Sequence, residues 1–254
     1  MNEQQGGTGR IRLDECLVRR GFFASRSRAR DAVARGTVSV SGIQVTKPGT
    51  PVVENADIAV DDPARGYVSR AALKLKAGLA AFGVEAEGRT ALDIGASTGG
   101  FTQVLLEAGA RHVIAIDVGH GQFDAGLGAD PRVTVIEGLN ARDLTRQHLS
   151  DHLPDLIVSD VSFISLTLAL PPSLDLAAPG ARGVFLVKPQ FEAGRAAIGK
   201  GGLLRDATEA PRVAERLAEW LDAYAGWRAR GLLPSPIEGG DGNREFLLHG
   251  EKAS

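Results

Sequence analysis

The sequence predicts an α/β protein: a parallel β-sheet covered by helices, preceded by a small basic α+β module. Three observations predict it. From residue 91 to residue 249, short apolar runs alternate with helix-period segments, as in a parallel sheet with helices on both faces. The apolar run 91–94 leads into Gly95-Ala96-Ser97-Thr98-Gly99-Gly100 and then into an apolar helical segment from Phe101. In such a strand–turn–helix unit the glycines let the backbone pass close to a ligand, and the new helix offers free N–H groups. Residues 10–60 carry nine Lys/Arg against five acids, a net +4, while the rest of a chain of net charge −2 carries −6. A basic module attached to an acidic body points to a polyanionic partner.

Composition narrows the class. With 254 residues, 43% hydrophobic and 24% charged, the chain has the makeup of a soluble globular protein of one large or two unequal domains. Its single cysteine, Cys16, excludes an internal disulfide and a cysteine-based metal centre. No apolar run reaches the length of a membrane span and no signal peptide is evident, so a cytoplasmic protein with no membrane partner is expected. Residues 1–9 are polar and glycine-rich and read as a disordered tip.

In the basic module, residues 11–20 read as an amphipathic helix with Leu13, Leu17 and Val18 on one side, ended by Gly21. Ser25 reads as the N-cap of a second helix, 26–35. Ala29, Ala32 and Val33 face inward on it, and Arg26 and Arg30 project together, four apart. Gly36 closes it. Strand 37–40, the turn Ser41-Gly42, its return 43–45 and a further strand 58–60 complete the module. The residues Arg12-Leu13-Asp14, Gly21, Ser25-Arg26, Ala29, Gly36, Val38 to Gly42, Lys47-Pro48 and Asp57-Ile58 resemble the RNA-binding domain named after the fourth small-subunit ribosomal protein, the S-four domain. Ser41 stands where many members have asparagine. The resemblance implies phosphate contacts from Arg12, Arg19, Arg20, Arg26, Arg28, Arg30 and Lys47, with Arg70 beyond the module, and recognition of RNA by shape. On charge alone, a solvated basic face is the alternative.

Residues 61–69 read as a linker between this domain, 10–60, and the body, 70–254. A helix over 71–82 buries Leu75, Leu79 and Phe82, with Lys74 off that stripe. Strands are expected at 91–95, 112–117, 133–136, 155–160, 183–188, 228–233 and 244–249. Helices are expected near 99–108, 141–152, 165–177 and 206–224.

The glycine turn departs from the dinucleotide fingerprint, since Ser97 occupies its third position. Asp93 lies two residues before Gly95, and Asp117 ends the next apolar run, where an acid can hold both hydroxyls of a ribose. This arrangement resembles the S-adenosylmethionine site of class I (Rossmann-like) methyltransferases. The resemblance implies cofactor contacts from Asp93, Gly95, Ala96, Ser97, Gly99, Gly100, Phe101, Asp117 and Asp160. Asn140 or Asp143 would meet the adenine, or merely cap a helix. A nicotinamide cofactor and a ligand-free turn are the competing readings.

Asp160 and Lys188 end apolar strands, on the edge where open α/β sheets bind ligands. If the last strand inserts antiparallel, as in the methyltransferase topology, Glu245 lies on the same edge, and Lys74 near the start of its helix reaches it too. A Lys–Asp–Lys–Glu set in this order is similar to that of FtsJ-type RNA ribose 2′-O-methyltransferases. Behind an S-four domain it looks like the TlyA family, also called haemolysin A. The matching stretches are YVSRAALKL (67–75), DIGASTGGFT (93–102), SDVSFIS (159–165), VKPQFEAG (187–194), GKGGLLRD (199–206) and GNREFL (242–247). Ala71 departs from an expected glycine. The resemblance implies methylation of cytidine ribose in 16S or 23S ribosomal RNA or both, ribosomal subunits as partners and no metal; the oligomeric state is left open, with a monomer favoured. Lys74, Asp160, Lys188 and Glu245 would be catalytic, with Lys188, neutral when it acts, as the base that takes the weakly acidic hydroxyl proton. The chemistry would rest mainly on positioning.

Phe163 reads either as a base-stacking or pocket residue or as core. Gly-x-x-x-x-Gly-Lys over 194–200 fits most of a phosphate loop, but Gly201 stands where Ser or Thr should hold magnesium. A basic loop over RNA, with Arg195, Lys200 and Arg205, or a plain connector fits better. His112, His120, His148, His152 and His249 have no metal-ligand spacing. Two other function classes stay open: a non-catalytic RNA-binding or assembly factor, and a membrane-lytic protein.

Overall fold

A computed structural model describes residues 9–150 and 152–254. The tip expected over residues 1–9 lies outside the described residues except for Gly9. The chain divides into two compact units, Met1–Gly66 and Tyr67–Ser254.

In the first unit, β1 (Arg10–Arg12) leads into α1 (Leu13–Arg19), followed by α2 (Arg26–Ala34), β2 (Val38–Val40), β3 (Ile43–Gln44), β4 (Pro51–Val53) and β5 (Ile58–Val60). β2 pairs antiparallel with both β3 and β5, and β1 pairs antiparallel with β4. Leu13, Leu17, Ala29, Ala32, Val33 and Val38 form a closed apolar core between helices and strands. Ser25 caps α2, its hydroxyl accepting from the Arg28 N–H. The first helix starts at Leu13 and not at Ile11, because Arg10–Arg12 pairs with Pro51–Val53, a three-residue strand too short to carry a period. Residues 61–69, expected as a linker, divide between the units. Both Arg35 amino nitrogens donate to the Asp62 carboxylate at 2.9 Å within the first unit. Tyr67 is buried in the second.

The second unit runs α3 (Ala72–Phe82), β6 (Thr90–Ile94), α4 (Gly100–Glu107), β7 (His112–Asp117), α5 (Ala125–Gly128), β8 (Val133–Glu137), β9 (Leu156–Ser159), α6 (Leu166–Ala169), α7 (Pro171–Leu176), β10 (Arg182–Val187), α8 (Pro189–Glu192), α9 (Glu209–Ala223), β11 (Trp227–Pro234) and β12 (Phe246–Lys252). The sheet order is β11-β12-β10-β9-β6-β7-β8. β6 to β10 are mutually parallel, and β12 inserts antiparallel between β10 and β11. The chain order reverses between β6 and β9, so their carboxyl ends open the crevice where such sheets take ligands. β10 shows how both faces are covered. Phe185 and Val187 join the core under α7 and α9, while Val184 and Leu186 join the core under α3 and α4.

Several helices differ from expectation. In place of a helix over 141–152 there are two one-turn 3-10 pieces, Ala141–Asp143 and Arg146–Leu149. Among the described residues only Leu144 and Leu149 are buried there, five apart and out of helical phase. The helix expected over 165–177 breaks at Pro171 into α6 and α7, since proline lacks the N–H that would continue the ladder. The last helix starts at Glu209, and α5 and α8 are single turns too short to leave a periodic signature.

Phe185 is fully buried with its ring 6.2 Å from Trp227. Phe185→Ala should destabilise the second unit by roughly 3–5 kcal/mol, read by chemical denaturation.

Candidate active site

The site grows from the turn after β6. Gly95 adopts φ +80, and a Cβ there would stand 3.0 Å from the Asp160 carbonyl oxygen; only glycine lets β6 leave the sheet beside the end of β9. Ser97 is also left-handed, at φ 49. Asp117 holds it there. One Asp117 oxygen accepts the Ser97 N–H at 2.8 Å and the other accepts the Gly119 N–H at 2.7 Å. Each oxygen keeps a lone pair for a ligand. A cavity of about 230 Å³ opens between this turn, Phe101, Ser69 and the ends of β9 and β10, with Asp160, Ser162 and Lys188 on its wall.

Asp93 is completely buried beneath the turn. One carboxylate oxygen accepts the Thr102 hydroxyl at 2.7 Å, and the other has no partner. Burial pushes its pKa up to about 7, and the negative Asp160 and Asp117 add to the rise.

The four charges predicted at the carboxyl edge form two pairs. Lys74, on the first turn of α3, bonds to Glu245, just before β12, and both are buried. Lys188 Nζ, at the end of β10, lies 2.6 Å from Asp160 Oδ1. That approach is off the hydrogen-bonding axis, leaving this oxygen with no aligned donor. The aligned bond from Lys188 goes to Ser162 Oγ at 2.8 Å. The pairs are electrostatically joined. Burial raises the Glu245 pKa, Lys74 and then Lys188 lower it, and Asp160 raises it.

Asn140 caps its one-turn helix, its side chain accepting from the Arg142 N–H, and Asp143 beside it is exposed. Phe163 is 90% exposed at φ 65, its ring 5.0 Å from Phe191, so the core reading of this residue fails. The 194–206 segment folds into a small hairpin, bridged between Ile198 and Leu204 and tied by Asn243 to Leu204 N and Gly202 O. Sequence reasoning passed over Ser162, Gln190, Glu192 and Asn243; the only signal was their place in the stretches that hold Asp160, Lys188 and Glu245. Among the described residues, no group of three or more His, Cys, Asp or Glu forms a metal site.

In the first unit Arg19, Arg20, Arg26, Arg30 and Lys47 are exposed, and Arg28 is half-buried. Arg12 and Arg26 share the buried Asp14 at 3.0 and 3.2 Å. Arg20 donates to Ala56 O, Arg19 pairs with Glu15, and Arg28 donates to Arg65 O. Arg70 belongs to the second unit.

The pattern of an FtsJ-like methyltransferase matches residues 67–252, and that of an S4 domain matches residues 11–58. The chain belongs to the FtsJ-like methyltransferases. Within them it belongs to the TlyA family. It is 44% identical over 94% of its length to the 16S/23S rRNA (cytidine-2′-O)-methyltransferase TlyA of Mycobacterium tuberculosis, covering 89% of that protein. It is 40% identical to Hemolysin A of Brachyspira hyodysenteriae, covering 94% of this chain and 99% of that one. The solved structure of a hemolysin-type protein from Streptococcus thermophilus superposes with a TM-score of 0.76 at 39% identity, over 98% of this chain and 90% of the other. Despite the hemolysin names, no helix among the described residues is long and apolar enough to cross a membrane.

Because the folded-state pKa of Asp93 lies above its unfolded value, the native protein binds the extra proton between about pH 4 and pH 7. Its stability should therefore fall as pH rises through that window. Asp93→Asn, which keeps an acceptor for Thr102, should remove that slope, read from denaturation midpoints of the ligand-free protein across the window. An unchanged slope would show that Asp93 is not the group responsible.

Proposed function

We propose that this chain transfers a methyl group from S-adenosylmethionine to the ribose 2′-hydroxyl of a cytidine in 16S or 23S ribosomal RNA, in the cytoplasm. The observation that supports this reading most is the meeting of Lys188–Asp160 with Lys74–Glu245 beside the cavity at the carboxyl edge of the sheet.

The residues fit the cofactor. The turn after β6 leaves an open cradle lined by Gly95, Ala96, Ser97, Gly100 and Phe101, and Asp117 keeps lone pairs beside it. Gly95, Ala96, Ser97, Gly99, Gly100 and Phe101 would hold the cofactor with Asp93, Asp117 and Asp160, and Asn140 and Asp143 lie at the next strand end for the adenine. When bound, S-adenosylmethionine supplies an electrophilic methyl group and leaves as the neutral sulfide.

The protein's part is to make a weak acid nucleophilic in the right place. A ribose hydroxyl entering beside Lys188 Nζ passes its proton to that nitrogen as the oxygen attacks. Lys188 must therefore arrive uncharged, and Asp160 and Ser162 then hold the ammonium formed. Lys74, fixed by Glu245, adds positive charge where negative charge grows on the attacking oxygen. Phe163, exposed and packed at a tilt against Phe191, offers a flat face to the target base. The basic S4-type unit supplies phosphate contacts, and the shape they span selects the RNA that is held.

The test uses purified protein, methyl-labelled S-adenosylmethionine and separated ribosomal subunits. Label should appear as 2′-O-methylcytidine after nuclease digestion; label on a base would refute the reaction type. Lys188→Ala should lower the single-turnover rate by about 100-fold or more while leaving subunit binding intact. Arg30, exposed on α2, is expected to touch a phosphate. Arg30→Ala should weaken subunit binding and reduce its log–log salt slope by about 1; an unchanged slope would remove Arg30 from the contact surface.

A further inference from the structure

Between Asp160 and α6 the chain runs Val161-Ser162-Phe163-Ile164-Ser165, and this loop is not relaxed. Phe163, with a Cβ and an aromatic ring, sits in the left-handed region at φ 65 with 90% of its surface exposed. No core contact rewards that conformation, which is strained for a bulky residue. The loop nevertheless has to deliver Asp160 and the Ser162 hydroxyl to Lys188. Something else must fix its far end.

That anchor is Glu192, the last residue of α8. One of its carboxylate oxygens accepts the Ser165 hydroxyl at 2.5 Å and the other accepts the Leu166 N–H at 2.8 Å. Ser165 in turn caps α6 by accepting the Thr167 N–H at 3.1 Å, and Leu166 is buried in the core under α7 and α9. So the two loops that carry Asp160 and Lys188 are joined at three places. Lys188 bonds Ser162, Phe163 packs on Phe191, and Glu192 bonds Ser165 and Leu166. Burial raises the Glu192 pKa and its two donors oppose that rise; neither donor is a cation. A half-buried carboxylate held only by neutral donors is a costly way to close a loop, and α6 needs only its own Ser165 cap to start.

We propose that Glu192 is a positioning residue for methyl transfer: by clamping Ser165 and Leu166 it holds the strained Phe163 loop so that Asp160 and Ser162 meet Lys188. The proposal rests on the methyltransferase reading above. Glu192 acts through its acceptor geometry and takes no proton from substrate. Glutamine can replace it, because its carbonyl still accepts from Leu166 N–H, and its amide can donate to Ser165 Oγ while that hydroxyl turns to Thr167 Oγ1, 2.8 Å away. Alanine cannot.

The experiment measures single-turnover methylation of separated ribosomal subunits by wild type, Glu192→Ala and Glu192→Gln, with the KM for S-adenosylmethionine and for subunits. Expected is a loss of about 10- to 100-fold in rate for Glu192→Ala with both KM values held within about threefold, and rescue to within about threefold of wild type in Glu192→Gln. A wild-type rate in Glu192→Ala overturns the proposal. So does a Glu192→Gln rate as low as that of Glu192→Ala, which would mean that the charge itself takes part in the chemistry. A loss of Glu192→Ala activity expressed wholly in KM overturns it too. If Glu192→Ala does not fold, Glu192→Gln decides alone, since a drop beyond about tenfold contradicts it. Failure of wild type to methylate either subunit would sink the methyltransferase reading instead, and is distinguishable from all of these.

Discussion

Four charges withdrawn from water at one edge of a sheet are the constraint on which this structure depends. Lys74 and Glu245 are almost fully buried, and Lys188 and Asp160 nearly so. Taking such groups out of water costs several kcal/mol each unless every one has a partner in place. Each residue here comes from a different element: Lys74 from the start of α3, Asp160 from the end of β9, Lys188 from the end of β10, Glu245 from the approach to β12. The pairs exist only if β12 inserts antiparallel next to β10 and α3 runs back across the sheet. The fold's topology and its charged centre therefore require one another.

The same edge explains the shape of the cavity. Gly95 lets the chain leave β6 within contact of the Asp160 carbonyl, and Asp117 ties Ser97 into a left-handed turn. An off-axis oxygen on Asp160 is left on the cavity wall, and an unpaired oxygen on Asp93 lies completely buried beneath the turn. Unsatisfied acceptors of this kind are rare in folded proteins, and they stand where the methyltransferase reading needs a cofactor and a hydroxyl to be held.

Much of this was legible in the sequence, for a physical reason. Asp160 and Lys188 follow short, largely apolar runs, so their position on the ligand edge follows from reading those runs as buried strands of a parallel sheet. Lys74 and Glu245 could be placed only by assuming a topology, because nothing local says that β12 is antiparallel. Ser162 and Glu192 were not legible. Their roles are contacts across 26 and 27 residues between two loops, and a loop conformation held by tertiary bonds leaves no periodic trace. The helix expected over 141–152 failed on the opposite ground: a polar stretch with two buried leucines resembles a helix in composition, while caps at Asn140 and Thr145 divide it into single turns. In the first unit, the charge pattern revealed the basic surface but not that buried Asp14 holds two of its arginines.

The central claim is that Lys188, held by Asp160 and Ser162, receives the proton of a ribose hydroxyl in ribosomal RNA. The most direct measurement is a mass map of ribosomal RNA nucleosides from cells lacking this gene, complemented with the wild-type chain or with Lys188→Ala. One or more 2′-O-methylcytidines should be lost on deletion, return with wild type and stay absent with Lys188→Ala. A methylcytidine restored by Lys188→Ala would contradict the assignment of the base, and a map unchanged by deletion would contradict ribosomal RNA as the substrate.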